Sequence, residues 1–77
     1  MKLIRYTHHA RHRMRWRRIS ESEIESAMLV PDFAEPSLGT RLNAWKKISE
    51  KYLRVTYFDA EEETVVLTAV KKKKGWR

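Results

Sequence analysis

The segment from Ile19 to Pro31 restricts the local structure of this chain more than any other part of the sequence. Ser20 and Glu23, three residues apart, match a capping box, in which each side chain accepts a hydrogen bond from the backbone N–H of the other residue. Ile19 before the cap and Ile24 in the first turn match a hydrophobic staple. Because proline disfavours helix in the residue before it, this helix must end before Pro31. The segment therefore predicts a short helix whose apolar face needs a packing partner.

Another helix is predicted directly before this one. Thr7 is a suitable N-cap, and Ala10 and Met14 are four residues apart, as on the buried face of a helix. The preceding stretch LIRYT, residues 3–7, is partly β-branched and aromatic and predicts either an edge strand or a first strand. The N-terminal part of the chain therefore reads as a strand followed by two helices.

After Pro31 the sequence changes to a β-type pattern. A short strand is expected around Phe33, and Pro36 and Gly39 indicate a loop after it. Three further strand-type segments follow, RLNAWKKIS, KYLRVTYFDA and TVVLTAVKK, with separators of hairpin length. The predicted fold class is therefore α+β. A single domain, residues 1–77, has two N-terminal helices packed on an antiparallel sheet of about four strands, in the order β-α-α-β-β-β-β.

Positive charge is abundant and clustered. The chain has a formal net charge of +7. Residues 8–18 contain five arginines and no acid, and residues 71–77, KKKKGWR, read as a basic tail. Such clusters favour nucleic acid or an acidic protein as a partner. With no cysteine and no apolar run of the length of a signal sequence or a membrane span, a soluble cytoplasmic protein without membrane contact is expected.

A row of three side chains on the first helix is the main candidate site. His9, Arg13 and Arg17 follow the i, i+4, i+8 spacing of one helix face, directly beside the buried stripe of Ala10 and Met14. At such a border a side chain keeps an apolar stem against the core and a polar head in water, as at the rim of a cleft. The alternative is structural: His9 satisfies a backbone group and the arginines pair with glutamates of the next helix.

Metal binding is not favoured for the histidines of this helix. His8 and His12 are four residues apart, which is the spacing of a helical two-histidine site. The segment contains no carboxylate and the chain no cysteine to complete a tetrahedral site, and the neighbouring arginines repel a dication. We therefore expect neither a metal nor another cofactor.

The remaining basic and aromatic residues suggest contact with nucleic acid. Lysines beside tryptophan and tyrosine provide phosphate contacts and rings that stack on bases, although strand rings are more often core residues. Trp76, between Gly75 and Arg77, is either a ring folded back on the core or an exposed stacking group. The residues assigned to nucleic-acid binding are Lys46, Lys47, Lys71, Lys72, Lys73, Lys74 and Trp76.

These residue types also permit the cleavage of RNA. A ribonuclease without a metal needs a base for the 2′-hydroxyl, a cation for the phosphorane charge and an acid for the leaving oxygen. His9 has a suitable unperturbed pKa for a general acid or base. Arg13, Arg17 and Arg54 would bind the phosphate. These four residues are the candidate catalytic set.

The string H-A-x-x-R-M-x-x-R-x-I-S, which begins at His9 and ends at Ser20, resembles a small bacterial and archaeal family of unknown function. That family is grouped with the RelE/ParE-like toxin superfamily. The resemblance extends over about residues 5–70, through Pro31, the Lys46–Lys47 strand and the last two strands. Arg18 departs from the family, whose members often have glycine between the two helices, a position where a left-handed backbone is easiest for glycine.

The resemblance implies a RelE/ParE-like fold, and by analogy with RelE-like toxins it suggests metal-independent cleavage of RNA, often ribosome-bound mRNA. It also implies an acidic antitoxin that wraps and blocks the toxin. ParE-like relatives instead act on DNA gyrase, so the analogy leaves the chemistry open. A non-catalytic nucleic-acid-binding module and a protein-interaction domain remain alternatives. Either a monomer or a weak homodimer is expected, because an exposed edge strand allows pairing.

Overall fold

A computed structural model describes residues 3–75 of the chain. It contains five strands and two helices in the order β-α-α-β-β-β-β, which confirms the predicted order. No helix within residues 3–75 is long and apolar enough to cross a membrane. The elements are β1 (Leu3–Tyr6), α1 (His8–Arg17), α2 (Glu21–Leu29), β2 (Phe33–Pro36), β3 (Leu42–Ile48), β4 (Lys51–Asp59) and β5 (Glu63–Lys72).

Helix α1 begins and ends with the hydrogen bonds that its sequence allows. The hydroxyl of Thr7 accepts a hydrogen bond from the N–H of Ala10 at 3.0 Å, as predicted for the N-cap. At the other end Arg18 adopts the left-handed conformation, with φ 53° and ψ 48°. The N–H of Ile19 then donates to the carbonyl oxygen of Met14 at 2.9 Å, as in a Schellman motif. Met14 and Ile19 are both buried in the core, so the turn between the helices is fixed by packing as well as by hydrogen bonds.

Helix α2 has the predicted capping box. The N–H of Ser20 donates to Oε1 of Glu23 at 2.9 Å, and the N–H of Glu23 donates to the Ser20 hydroxyl at 3.1 Å. Glu23 also pairs with Lys71 on β5, with 3.0 Å between Oε2 and Nζ. Burial raises the pKa of Glu23, but the hydrogen bonds from Ser20 and the interaction with Lys71 outweigh it and lower the pKa below its usual value. The same carboxylate therefore caps α2 and ties it to the sheet.

The sheet has five strands and is mixed, whereas about four antiparallel strands were predicted. Its order is β1-β5-β4-β3-β2, and every neighbouring pair is antiparallel except β1 and β5. Alternation of apolar residues predicts a strand but does not give its direction, and the long connection between β1 and β5 contains both helices, which permits a parallel pair. The α+β class is confirmed; the description as an antiparallel sheet is wrong for β1.

Both helices pack on one face of the sheet. The core joins the apolar faces of α1 and α2 to the residues of two neighbouring strands that face the helices: Leu53 and Val55 on β4, Val66 and Ala69 on β5. Leu67 is an extra residue in β5, since Thr56 is opposite Thr68 but Tyr57 is opposite Val66. The intervening side chains of β3, β4 and β5 point to the other side of the sheet. This other side, on which no helix packs within residues 3–75, is termed the helix-free face.

Candidate nucleic-acid interface

The helix-free face carries three rows of side chains that cross the sheet from β5 towards β2. The strand register places these residues directly opposite one another, so each row is a line of neighbouring side chains. The first is a cationic row with a central ring, the second contains an arginine between apolar residues, and the third is polar. The rows are Lys72–Tyr52–Lys47, Val70–Arg54–Trp45–Phe33 and Thr68–Thr56–Asn43–Glu35.

Arg54 lies at the centre of this face. Its guanidinium carbon is 5.7 Å from the centroid of the Trp45 ring, within the range of a cation–π contact. The Nε of Arg54 is buried and has no hydrogen-bond partner within residues 3–75. A buried N–H without an acceptor costs about 1–3 kcal/mol. Arg54 therefore places a half-buried positive charge on the face that the helices leave open.

The polar row is a connected network held by one carboxylate. Oε2 of Glu35 accepts hydrogen bonds from Nε1 of Trp45 at 2.9 Å and from Nδ2 of Asn43 at 3.2 Å. The Thr56 hydroxyl donates to Oδ1 of Asn43 at 2.7 Å. The hydrogen bonds from Trp45 and Asn43 lower the pKa of Glu35. Glu35 is therefore an ionised acceptor that orients the Trp45 ring beneath Arg54, and it is a poor general base.

The cationic row ends where the chain leaves β5. Nζ of Lys47 is 5.9 Å from the centroid of the Tyr52 ring. Gly75 comes back against the same ring: a β-carbon at residue 75 would lie 2.7 Å from Cγ of Tyr52, closer than real β-carbons approach other atoms. Glycine is thus required where the segment after β5 passes Tyr52, and this contact keeps the segment beside the helix-free face.

The lysines that the sequence assigned to nucleic-acid binding divide between the two faces. Lys46 and Lys71 lie on the helix side: Nζ of Lys46 donates to the Val30 carbonyl at 2.9 Å, and Lys71 pairs with Glu23. Lys47 and Lys72, their neighbours in sequence, lie on the helix-free face. Lys73 and Lys74 are exposed beyond the end of β5, and Trp76 lies outside the described residues.

The predicted row on α1 is present, but its members have different roles. Nε of Arg13 donates to Nε2 of His9 at 3.3 Å, and His9 is exposed. Nη1 of Arg17 donates to the Ala69 carbonyl at 2.7 Å. Because β1 pairs with Glu63–Val66, the part of β5 that contains Ala69 has no strand partner on that side within residues 3–75. Arg17 thus attaches α1 to the edge of β5, whereas Arg13 and His9 form a hydrogen bond with each other.

The four candidate catalytic residues do not form one cluster. Arg54 projects from the helix-free face of β4, while the row on α1 belongs to the opposite layer and runs beside the edge of β5.

His12 lies beside Trp16, with 6.1 Å between ring centroids. Within residues 3–75 no group of three or more histidines and carboxylates is close enough to hold a metal ion.

Sequence reasoning missed the network of Glu35, Asn43 and Thr56. Each residue type is ordinary in a β-rich segment, and nothing in their spacing along the chain links them. They become neighbours only through the pairing of β2 with β3 and of β3 with β4. The opposite orientations of Lys46 and Lys47, in contrast, follow from the two-residue period of a strand and could have been predicted.

Comparisons with known proteins identify one family. Residues 6–71 match the family described as Domain of unknown function (DUF4258). No curated protein and no solved structure matches the chain significantly. The predicted relationship to RelE/ParE-like toxins is not tested by this match and stays a prediction. The matched segment runs from the end of β1 to Lys71 in β5 and includes both helices and every residue of the three rows except Lys72, so the chain belongs to the DUF4258 family.

Proposed function

We propose that this protein binds single-stranded RNA on the helix-free face of its sheet. The observation that carries the proposal is Arg54, whose guanidinium lies over the Trp45 ring and whose buried Nε has no hydrogen-bond partner within residues 3–75. Sheets that bind single strands combine rings for base stacking with cations that follow the phosphates. Here Lys47, Lys72 and Arg54 are the cations and Tyr52 is the ring, while the buried Trp45 supports Arg54 from beneath.

The charge distribution supports RNA over an uncharged partner. The chain has a net charge of +7, and the helix side neutralises part of its positive charge internally, through the pairs Lys71–Glu23 and Arg11–Glu21. The cationic row has a phenol ring between its lysines instead of a carboxylate. Glu35 is the acidic side chain of the rows, and its carboxylate is occupied by Trp45 and Asn43.

Two pairs of adjacent lysines provide the test. Lys47→Gln and Lys72→Gln remove charges from the helix-free face, while Lys46→Gln and Lys71→Gln remove the same charges from the helix side. Binding of a short fluorescent single-stranded RNA is measured by anisotropy over a series of salt concentrations. Each substitution on the helix-free face should reduce the slope of log K against log salt by about 0.7. Each helix-side control should leave the slope unchanged.

Arg54→Gln tests the centre of the face. We expect RNA affinity to fall by about tenfold, since the positive charge of the guanidinium is lost. If all four lysine variants change the slope equally, or if Arg54→Gln binds RNA like the wild type, RNA does not lie on the helix-free face.

Metal-independent RNA cleavage by a RelE-like toxin is a second candidate function, and the hydrogen bond between Arg13 and His9 favours it. Because Nε2 of His9 accepts from Arg13, Nε2 is the basic nitrogen of the neutral ring. An RNA phosphate that draws Arg13 away would free Nε2 to take the proton of a 2′-hydroxyl. The 2′-oxygen then attacks phosphorus, Arg13 stabilises the added negative charge, and the 5′-oxygen leaves with a proton from water. The products are a 2′,3′-cyclic phosphate and a 5′-hydroxyl.

His9→Ala and His12→Ala form the matched pair for this reaction, because both histidines are exposed on α1. RNA is incubated with each protein in EDTA, with and without ribosomes, and the fragment ends are identified. Growth of a host with controlled expression is measured in parallel. The toxin proposal is supported if His12→Ala still cleaves RNA to fragments with cyclic phosphate ends and His9→Ala does not. Equal activity of His9→Ala and the wild type excludes His9. An acidic antitoxin belongs to the same proposal and should prevent RNA binding when it is added in equal amount.

A further inference from the structure

A cavity on the helix side is lined by apolar and acidic residues. It has a volume of about 290 Å³ and lies between the end of α2 and the sheet, next to β1. Its apolar lining is Ile4, Met28 and Leu29, and Leu29 is 58% exposed at the rim. Two carboxylates complete it, Glu25 from α2 and Asp59 from the end of β4. A small pocket with apolar walls and two acids is unexpected on a protein with a net charge of +7.

The carboxylate of Glu25 has no ion-pair partner in the part of the chain that the structure describes, residues 3–75. Arg11, whose charge acts on the neighbouring Tyr6, is already paired with Glu21 at 3.3 Å. The hydroxyl of Thr64 donates to Oδ1 of Asp59 at 2.9 Å, which fixes the direction of that carboxylate.

The carboxylates contribute to the raised pKa values of two tyrosines, Tyr57 and Tyr6, although burial is the larger cause in both. Burial, together with the carboxylate of Asp59, raises the pKa of Tyr57, whose ring lines the cavity. Burial, with smaller contributions from Glu21 and Glu25, raises the pKa of Tyr6 to about 12, despite the opposing effect of Arg11. A cation in the cavity would be attracted by the carboxylates and could stack on the Tyr57 ring.

We propose that this cavity binds an arginine side chain of a basic peptide segment from a partner protein. The aliphatic stem of arginine fits the walls of Ile4, Met28 and Leu29, and the guanidinium fits against the Glu25 carboxylate and the Tyr57 ring. Arginine is preferred to lysine because its planar group both pairs with carboxylates and stacks on a tyrosine ring. The volume is at the lower end of the range for ligand pockets, roughly 300–1,000 Å³, which suits one side chain. The proposal is independent of RNA binding.

The probes are acetyl-Leu-Arg-amide and acetyl-Leu-citrulline-amide, which have nearly the same shape but differ in charge. The protein is labelled with ¹³C at its methionine methyl groups. Met28 lines the cavity, whereas Met14 is buried in the core and serves as an internal reference. The arginine probe should shift the Met28 signal in a saturable manner and leave Met14 unchanged. The citrulline probe should bind at least threefold more weakly, because it lacks the charge.

Glu25→Gln and Glu50→Gln separate the cavity from general electrostatics. Both remove one carboxylate, but Glu50 lies in the turn between β3 and β4, outside the cavity. We expect Glu25→Gln to weaken the arginine probe about threefold to fivefold and Glu50→Gln to leave its affinity unchanged. Equal effects of the two substitutions, or equal binding of the two probes, would overturn the proposal. A Met28 shift that depends on protein concentration without any probe would also overturn it, because the occupant would then be a second copy of the chain.

Discussion

Replacing Arg18 with glycine should stabilise the protein, although it removes a complete side chain. Arg18 has φ 53° and closes α1, with its N–H directed to the carbonyls of Arg15 and Met14. The left-handed conformation costs a residue with a β-carbon about 1–2 kcal/mol. Glycine loses about 0.5–1 kcal/mol more conformational entropy on folding. The net effect is an increase of about 0.5–1 kcal/mol in the free energy of unfolding.

The side chain of Arg18 contributes little to oppose this gain. It is exposed, and it forms no hydrogen bond or ion pair with residues 3–75. Arg18→Ala is the control, because it removes the same charge but keeps the β-carbon. Arg18→Asn should lie between alanine and glycine, since asparagine tolerates the left-handed region better than most residues.

Urea unfolding followed by tryptophan fluorescence measures these differences, and thermal unfolding checks them. For a domain of this size a gain of 1 kcal/mol raises Tm by about 4–8 °C, so Arg18→Gly should unfold roughly 2–8 °C above the wild type. The expected order of stability is glycine, asparagine, then arginine and alanine together. If Arg18→Gly is no more stable than Arg18→Ala, the backbone at this position is not strained and the reasoning fails.

Three further predictions follow from single contacts. Because folding lowers the pKa of Glu23, its carboxylate stabilises the folded protein at pH values above the pKa of the unfolded state. This stabilisation is lost as the pH falls through the pKa of the folded state. Urea unfolding at neutral pH and at about pH 3 should therefore show that acid lowers the free energy of unfolding less in Glu23→Gln than in the wild type. Arg17→Met should lower the free energy of unfolding by about 1–2 kcal/mol and speed amide exchange near Ala69, because the Ala69 carbonyl loses its donor; unchanged exchange would contradict that role. Gly75→Ala should displace the segment after β5 from the Tyr52 ring, so the NMR signals of that ring should move while the stability changes by less than about 0.5 kcal/mol.

The helices were predictable because their signals are local. The capping box of Ser20 and Glu23 lies within one turn, and its hydrogen bonds form in the structure as the sequence indicates. The direction of β1 was not predictable, because it depends on how two helices carry the chain back to β5. Alternation along β1 is the same whether the strand runs parallel or antiparallel to its neighbour.

The candidate site was predictable only in part. Spacing placed His9, Arg13 and Arg17 in one row, but it left open whether the row is a site or a structural seam. The hydrogen bond from Arg17 to the Ala69 carbonyl gives Arg17 a structural role, because it attaches α1 to the sheet. The hydrogen bond between Arg13 and His9 lies within α1 and does not attach the helix to the sheet. Arg54 was selected for its charge alone, and its position over Trp45 depends on the pairing of β3 with β4.

The parallel pairing of β1 with β5 has a consequence for how the protein is made. Leu3–Tyr6 is synthesised first, but its partner Glu63–Val66 is synthesised about sixty residues later. Until β5 has left the ribosome, β1 has no strand beside it and Arg17 has no Ala69 carbonyl to bind. Helix α1 must also wait, because its buried residues pack on β5. A nascent chain that stops before residue 63 therefore has no complete core and is open to proteolysis, so the fold, and any activity that needs it, forms only after β5 has been synthesised.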